Sequence, residues 1–420
     1  MKCAVPVWSA RGARTATCRT DDNYGEAGVR RRYKFLLRPT SKQATALAAC
    51  VEDHRLLYNA ALEERREAWR RARKGILYGS QSKQLKDIRS ADPQGQGRWS
   101  FSSQQATLRR LDRAFQAFFR RIKTGRKPGY PRFKGGGRFD TVEWPKDGDG
   151  CRWNSTSDSA ARSDRTRVYL RGIGHVRVHA HRKIAGTVKT VSAKREGRRW
   201  YLVLSCDHVP ADPLPPAGST VGIDMGVASF LTTSEGAQVP NPRPGRCSAG
   251  RLTAAQQALA RCARYSNRRR RIVARVAALH AAVRRRRLDH AHKTAVWLVR
   301  NHDLIFHEEL RITNMTRSAA GTLEEPGTNV AQKSGLNRSI LDAGWGVFLA
   351  VLHAKAESAG RVIVGVDPRN TSRTCPDCGH CAAGNRVTQA SFVCLACGFA
   401  RHADIVAATN ILRAGLALQT

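Results

Sequence analysis

The sequence predicts a multidomain α/β protein: a helical insert within an antiparallel β region, followed by an α/β half interrupted by a metal-stapled ribbon. Three observations carry that reading. The chain has 420 residues and 41% hydrophobic content, enough for about three domains that each bury a core. A Pro-rich run, ADPLPPAG at residues 211–218, separates a region of alternating strands from one in which strands and long helices alternate. Five of the twelve cysteines fall between Cys375 and Cys397, which in a chain this long points to a metal rather than to disulfides.

Charge narrows the partners. Lysine and arginine number 73 against 33 acidic residues, a formal net charge of +40. Self-repulsion of that size is most simply relieved by a polyanion, because each cation set on a phosphate releases a condensed counterion. Nucleic acid is therefore the leading partner. A membrane is not expected, since the longest apolar runs, such as residues 345–353, fall short of the ~20 residues a span needs. The opening MKCAVPVWSARGARTATCRT is basic but lacks the apolar core of a secretory signal. A cytoplasmic protein is the expectation.

Taken in order, residues 1–27 show no periodicity and read as a disordered leader. Residues 28–39 supply a basic strand that stops at Pro39, which cannot donate to a ladder. Thr40 and Gln43 form a capping box, and Leu47, Val51, Tyr58, Leu62 and Trp69 then recur at helical spacing. A second helix is expected near Ser102, with Gln105 at the capping offset. Its stripe of Leu108, Leu111, Phe115, Phe118, Phe119 and Ile122 reads as core. Residues 40–123 thus make a helical domain. Residues 124–144 pack cations among Gly, Pro and aromatics; Arg126, Lys127, Arg132 and Lys134 suit nucleic-acid contact, the alternative being a solvated basic loop. Alternating runs such as HVRVHAHRKI and RRWYLVLSCDHV make residues 124–210 the second part of the antiparallel β region.

After the 211–218 linker, residues 219–370 open with a buried strand, a tight turn and a strand reversing at Ser234-Glu235-Gly236. Residues 252–300 read as a long helical stretch with repeated arginine runs. Arg268, Arg269 and Arg270 are candidate nucleic-acid contacts, because runs of one sign without compensating acids favour a polyanion. DLIFHEEL is a buried strand, residues 316–335 a mobile loop able to act as a lid, residues 337–360 helical, and RVIVGVDP a strand. Residues 400–420 hold a closing helix.

Residues 371–399 carry Cys375-x2-Cys378 and, after fifteen intervening residues, Cys394-x2-Cys397. Each pair turns two thiolates toward one ion, with Gly379 and Gly398 relieving the turns, and two such knuckles complete a tetrahedral zinc site. Four thiolates leave no open position, so this zinc is expected to be structural. Cys381 is a spare thiol outside the paired spacing.

Three acids stand where a metal-dependent nuclease wants them. Asp224 ends a strand, Glu308 ends another, and Asp404 opens the last helix. Carboxylates suit Mg2+ or Mn2+, and two such ions ~3.5–4 Å apart can activate a water and steady a leaving phosphate oxygen. Taken singly, each acid is more simply a turn or cap residue. Periodicity does not choose between Glu308 and Glu309, of which only one can face the metal.

YKFLLRPTSKQ, LLYNAALEERR, PGYPRFKGG, GIDMGV, HEELRITNM, TSRTCPDCG and CLACGFARHADIVAATNIL, in that order from Tyr33 to Leu412, resemble the TnpB proteins. These are encoded by bacterial and archaeal insertion sequences and are relatives of the type V CRISPR effector nucleases. The resemblance implies an RNase H-like (RuvC) nuclease core with the zinc ribbon inserted before its last segment, preceded by a β wedge carrying the helical domain. It implies an RNA-guided DNA endonuclease whose partners are a guide RNA and target double-stranded DNA. By the same likeness Asp224, Glu308 and Asp404 are the catalytic, magnesium-binding acids, which settles the choice for Glu308. Arg373 and Asn410 become auxiliary contacts. Some relatives have lost the acids and act as guided DNA-binding repressors; here all three are present.

Overall fold

The computed structural model describes residues 29–155, 166–322 and 324–419, so the expected leader over residues 1–27 lies outside them. β1 (Val29–Arg38) buries Tyr33, Phe35 and Leu37 on alternate positions and ends before Pro39. It pairs antiparallel with strands that come much later in the chain. β2 (Thr141–Trp144), β3 (Cys151–Trp153), β4 (Arg167–Leu170), β5 (Gly174–His179), β6 (Thr187–Glu196) and β7 (Arg199–Val209) complete a seven-stranded sheet ordered β2-β6-β7-β1-β5-β4-β3. The first strand therefore sits inside the sheet, between β5 and β7, and the chain leaves it after Arg38 to build the helical insert.

That insert begins with α1 (Ser41–Ala72). The Thr40 hydroxyl accepts from the Gln43 amide at 3.3 Å and the Gln43 side chain accepts from the Thr40 amide at 3.1 Å, the expected capping box. α2 (Tyr78–Ala91) has no counterpart in the sequence reading. It buries only Leu85 and Gln81, so it shows no apolar stripe; Gln81 is held by Arg65 and the Ala61 carbonyl. α3 (Phe101–Lys123) starts one residue earlier than Ser102, with Ser100 as its first flanking residue. The proposed Ser102/Gln105 box is absent: Gln105 donates to Ser82 instead. Leu108, Leu111 and Phe115 are buried and Phe118 is half-buried, but Phe119 and Ile122 are exposed, as is Trp69 on α1, so the far end of the expected core stripe faces outward.

The linker at 211–218 lies along the second half, where Asp303 accepts from the Ala217 and Gly218 amides and Arg361 donates to the Pro215 carbonyl. β8 (Thr220–Asp224), β9 (Ser229–Thr233) and β10 (Gln238–Pro240) form an antiparallel meander. β11 (Leu304–Glu308) and β12 (Val362–Val366) extend it in parallel, giving the order β10-β9-β8-β11-β12. Their apolar runs fit strands covered on both faces. α4 (Pro244–Ala260) packs on α5 (Asn267–Asn301), which lies on one face of the sheet with the short α6 (Ile312–Met315), α7 (Val330–Ala343) and α8 (Trp345–Ala359). The long helical stretch expected over 252–300 is thus two helices broken at 261–266. The loop expected over 316–335 gives way to helix at Val330, and Gly344, at φ 74°, divides the helix expected over 337–360. On the other face lies α9 (Ala403–Leu416), after a ribbon hairpin of β13 (Ser391–Val393) and β14 (Ala400–His402). Among the described residues, no helix is long and apolar enough to cross a membrane.

Candidate metal and nucleic-acid site

Asp224 and Glu308 end neighbouring parallel strands. The register pairs Ile223 with His307, so the two acids are next in line at the same sheet edge. Alternation places Gly222 and Asp224 on one face, with Phe306 and Glu308 beside them, and that face is the one α9 covers. Two glycines let α9 come down. A methyl at Gly222 would strike the Ala408 carbonyl oxygen and lie 2.6 Å from the Leu412 nitrogen, and one at Gly415 would strike the Phe306 ring. This close seating brings Asp404, in the first turn of α9, to the same edge. The face covered by α9 selects Glu308; Glu309 instead lies over Gly365 on β12.

Electrostatics shows the convergence. Burial, then the charges of Glu308 and Asp404, push the Asp224 carboxyl up to about 7. Burial also raises Glu308, opposed by a hydrogen bond from Thr371 and by the Arg386 charge. Thr371 donates to Glu308 at 2.6 Å, and Arg386 reaches Asp404 at 3.4 Å. Neither Thr371 nor Arg386 was singled out from sequence: both sit in the cysteine segment, and only tertiary structure brings them to the acids. Asn410 donates to the Thr371 and Thr374 carbonyls at 2.8 and 2.7 Å, so it holds the loop that holds Glu308. Arg373 is exposed, its carbonyl accepting from Asn385 at 2.9 Å.

The cysteines close more tightly than the acids. The sulfurs of Cys375, Cys378, Cys394 and Cys397 all lie within 4.8 Å of one another, the one such group of three or more candidate ligands among the described residues. Cys375 to Cys397 is 3.7 Å and Cys378 to Cys394 is 3.5 Å. A tetrahedron with ~2.3 Å metal–sulfur bonds has edges of ~3.8 Å, so the quartet fits a metal ion such as zinc. Cys381 stays outside it. The three carboxylates do not form such a group among the described residues; Arg386 pairs with Asp404, and its charge acts on Asp224 and Glu308.

The basic segments differ in rigidity. The loop holding Arg126, Lys127, Arg132 and Lys134 is pinned to α1: the Lys134 amide donates to Asn59 at 2.8 Å, and Asn59 and Arg55 donate to its carbonyl at 3.0 and 2.8 Å. At the start of α5, Arg268 and Arg270 are exposed while Arg269 folds back onto the Leu259 carbonyl. No acid occurs between Glu235 and Asp289, a span with fourteen arginines. A cleft of about 1520 Å³ separates the seven-stranded sheet from α5 and α8. Within it Lys355 is depressed by burial and by Arg31, Arg182 and Arg300, which marks a concentration of positive charge.

Comparison with known proteins agrees with these features. Residues 203–319 match a family described as "Probable transposase", residues 345–411 a "Cas12f1-like, TNB domain" and residues 29–74 a "Helix-turn-helix domain". In this chain the last of these is strand β1 followed by the single helix α1. Several relatives carry the name "Putative RNA-guided DNA endonuclease". InsQ of Escherichia coli strain K12 is 32% identical over 390 residues, 92% of each chain. A protein of Streptomyces pristinaespiralis is 29% identical over 397 residues, 93% of this chain and 90% of that one. Among solved structures, the mini-RNA-guided endonuclease CRISPR-Cas phi3 aligns over 93% of each chain at a TM-score of 0.48 and 10% identity. With InsQ matched at that identity along nearly the whole of both sequences, the chain belongs to the TnpB family.

Proposed function

We propose that this protein is an RNA-guided DNA endonuclease that hydrolyses phosphodiester bonds at Asp224, Glu308 and Asp404. The convergence of these three acids on one edge of the five-stranded sheet carries the reading. In it, residues 219–370 and 400–420 form an RNase H-like (RuvC) core and residues 371–399 a structural zinc ribbon. The antiparallel sheet is the wedge, assembled from residues 28–39 and 124–210, and residues 40–123 are the helical domain. Guide RNA and target DNA occupy the cationic cleft and the basic segments, with Arg126, Lys127, Arg132, Lys134, Arg268, Arg269 and Arg270 on phosphates.

The acids would hold Mg2+ or Mn2+. When bound, such ions would supply an activated water and charge for the leaving oxygen. The chain's own residues arrange the rest. Asp224 must give up its proton to serve, Thr371 fixes the Glu308 carboxylate, and Arg386 steadies Asp404 while leaving guanidinium donors free for a phosphate.

Protein purified with its bound RNA should cut matching DNA only with a divalent metal. Asp224→Ala should stop cutting while leaving guided binding intact. The pairing of Arg386 with Asp404, which occupies one of the three acids, favours one competing reading, a guided but silent DNA-binding protein. Wild-type protein that binds guided target and never nicks it would establish that alternative.

A further inference from the structure

The outward half of α3 and the loop after it do something a solvated basic surface does not require. Between Asp112 and Asp140 the chain carries nine lysines and arginines and no acid. Among them stand exposed apolar side chains: Phe119 at 54%, Tyr130 at 44% and Phe133 at 42%. These are not loose. Tyr130 meets Phe115 and Phe118 edge to face at 5.6 and 5.3 Å, and Phe118 meets Phe119 at 5.2 Å. Arg66 lies over the Phe133 ring at 5.1 Å, and the Asn59 and Arg55 bonds to Lys134 hold the backbone beside it.

Fixed aromatic faces set among unpaired cations match the chemistry of unpaired bases joined by phosphates. A second copy of this chain does not fit, because the same cations would face each other without an acid in the segment. Stacking is sequence-tolerant, because every base has a π-face, and the segment's single side-chain amide, Gln116, is already engaged by Asp112. A surface blind to sequence suits a strand whose sequence changes from target to target. Given the guided-nuclease reading, on which this inference rests, the guide is paired and the RNA scaffold is constant. The variable unpaired strand is then DNA.

We propose that Phe119, Tyr130 and Phe133 form a stacking platform for the DNA strand that guide pairing displaces, with Arg120, Lys127 and Arg132 on its phosphates. The test has two arms. In the first, purified protein is titrated with single-stranded DNA across a salt series. Phe119→Ala and Phe133→Ala should each weaken binding by about fivefold to a hundredfold without changing the logarithmic salt slope. Arg132→Ala should instead lower that slope by about one. Phe119→Leu keeps apolar bulk and should still lose affinity, which separates stacking from misfolding. In the second arm, RNA-bound protein carrying Asp224→Ala receives duplex target with 2-aminopurine in the displaced strand. Its fluorescence should fall on binding and recover in the Phe119 and Phe133 variants.

Aromatic variants that hold single-stranded DNA like the wild type overturn the proposal. So does quenching of a probe in the RNA rather than in the displaced strand, or a change of particle mass in light scattering on Phe119→Ala, which would mark a contact between copies. The first arm needs neither guide nor cutting. A wild type that fails to cut guided DNA therefore counts against the nuclease reading and leaves the platform result standing.

Discussion

Substituting alanine for Gly222 should damage cutting far more than folding. The added methyl would lie 2.6 Å from the Leu412 nitrogen, where ordinary contact begins near 3.4 Å, and it would also strike the Ala408 carbonyl. Both neighbours are α9 backbone and cannot swing aside. The helix must retreat by about 1 Å and carry Asp404 with it, and a misplacement of that size can cost ~10²-fold in rate. Overpacking costs ~1–3 kcal/mol, a melting shift of roughly 2–10 °C for a unit of this size. The assay is single-turnover cutting of guided DNA, beside thermal unfolding and RNA binding. Gly250→Ala, on α4 with open space around it, is the control; it should raise stability by ~1 kcal/mol and leave cutting unchanged. Should Gly222→Ala cut at the wild-type rate, close seating of α9 is not what places the third acid.

Two further outcomes follow from the same site. Asp224 has a folded pKa raised to about 7, so between pH ~4 and ~7 the folded state holds a proton that the unfolded state has lost, and stability falls as pH rises through that window. Metal-free Asp224→Asn protein should lack this component. It should be more stable than wild type by ~2–4 kcal/mol at pH 8 and nearly equal at pH 4; an equal gap at both pH values would contradict the assignment. Removing the ribbon metal, by chelation or Cys378→Ser, should release Thr371 and Arg386 from the acids. Cutting should be lost while RNA stays bound and about one zinc per chain disappears from elemental analysis; a zinc-free protein that cuts normally would refute that coupling.

What the sequence disclosed was what local chemistry decides. The Thr40/Gln43 box and the stop of β1 before Pro39 are set by residues a few positions apart, and the two CxxC pairs have a spacing that fits one ion. α2 escaped because its buried contact is Gln81, a polar side chain satisfied by Arg65 and the Ala61 carbonyl, which no apolar period marks. The α3 stripe misled in the opposite way: helical spacing shows which residues share a face, not whether that face finds a partner along its whole length. Periodicity alone could not tell Glu308 from Glu309; the family likeness chose Glu308, and the side of the sheet that α9 covers is the one Glu308 shares with Asp224. Thr371 and Arg386 gave no signal at all, being ordinary residues until the ribbon folds against the acids.

The order of these parts along the chain gives the site a history. A ribosome extrudes the antiparallel sheet and its helical insert first, then the two strand acids, then the ribbon, and only afterwards the helix that begins with Asp404. On the guided-nuclease reading, a nascent molecule can gather its RNA while it is still incapable of hydrolysis. On that reading the hydrolytic site closes only after the parts that would hold RNA have formed.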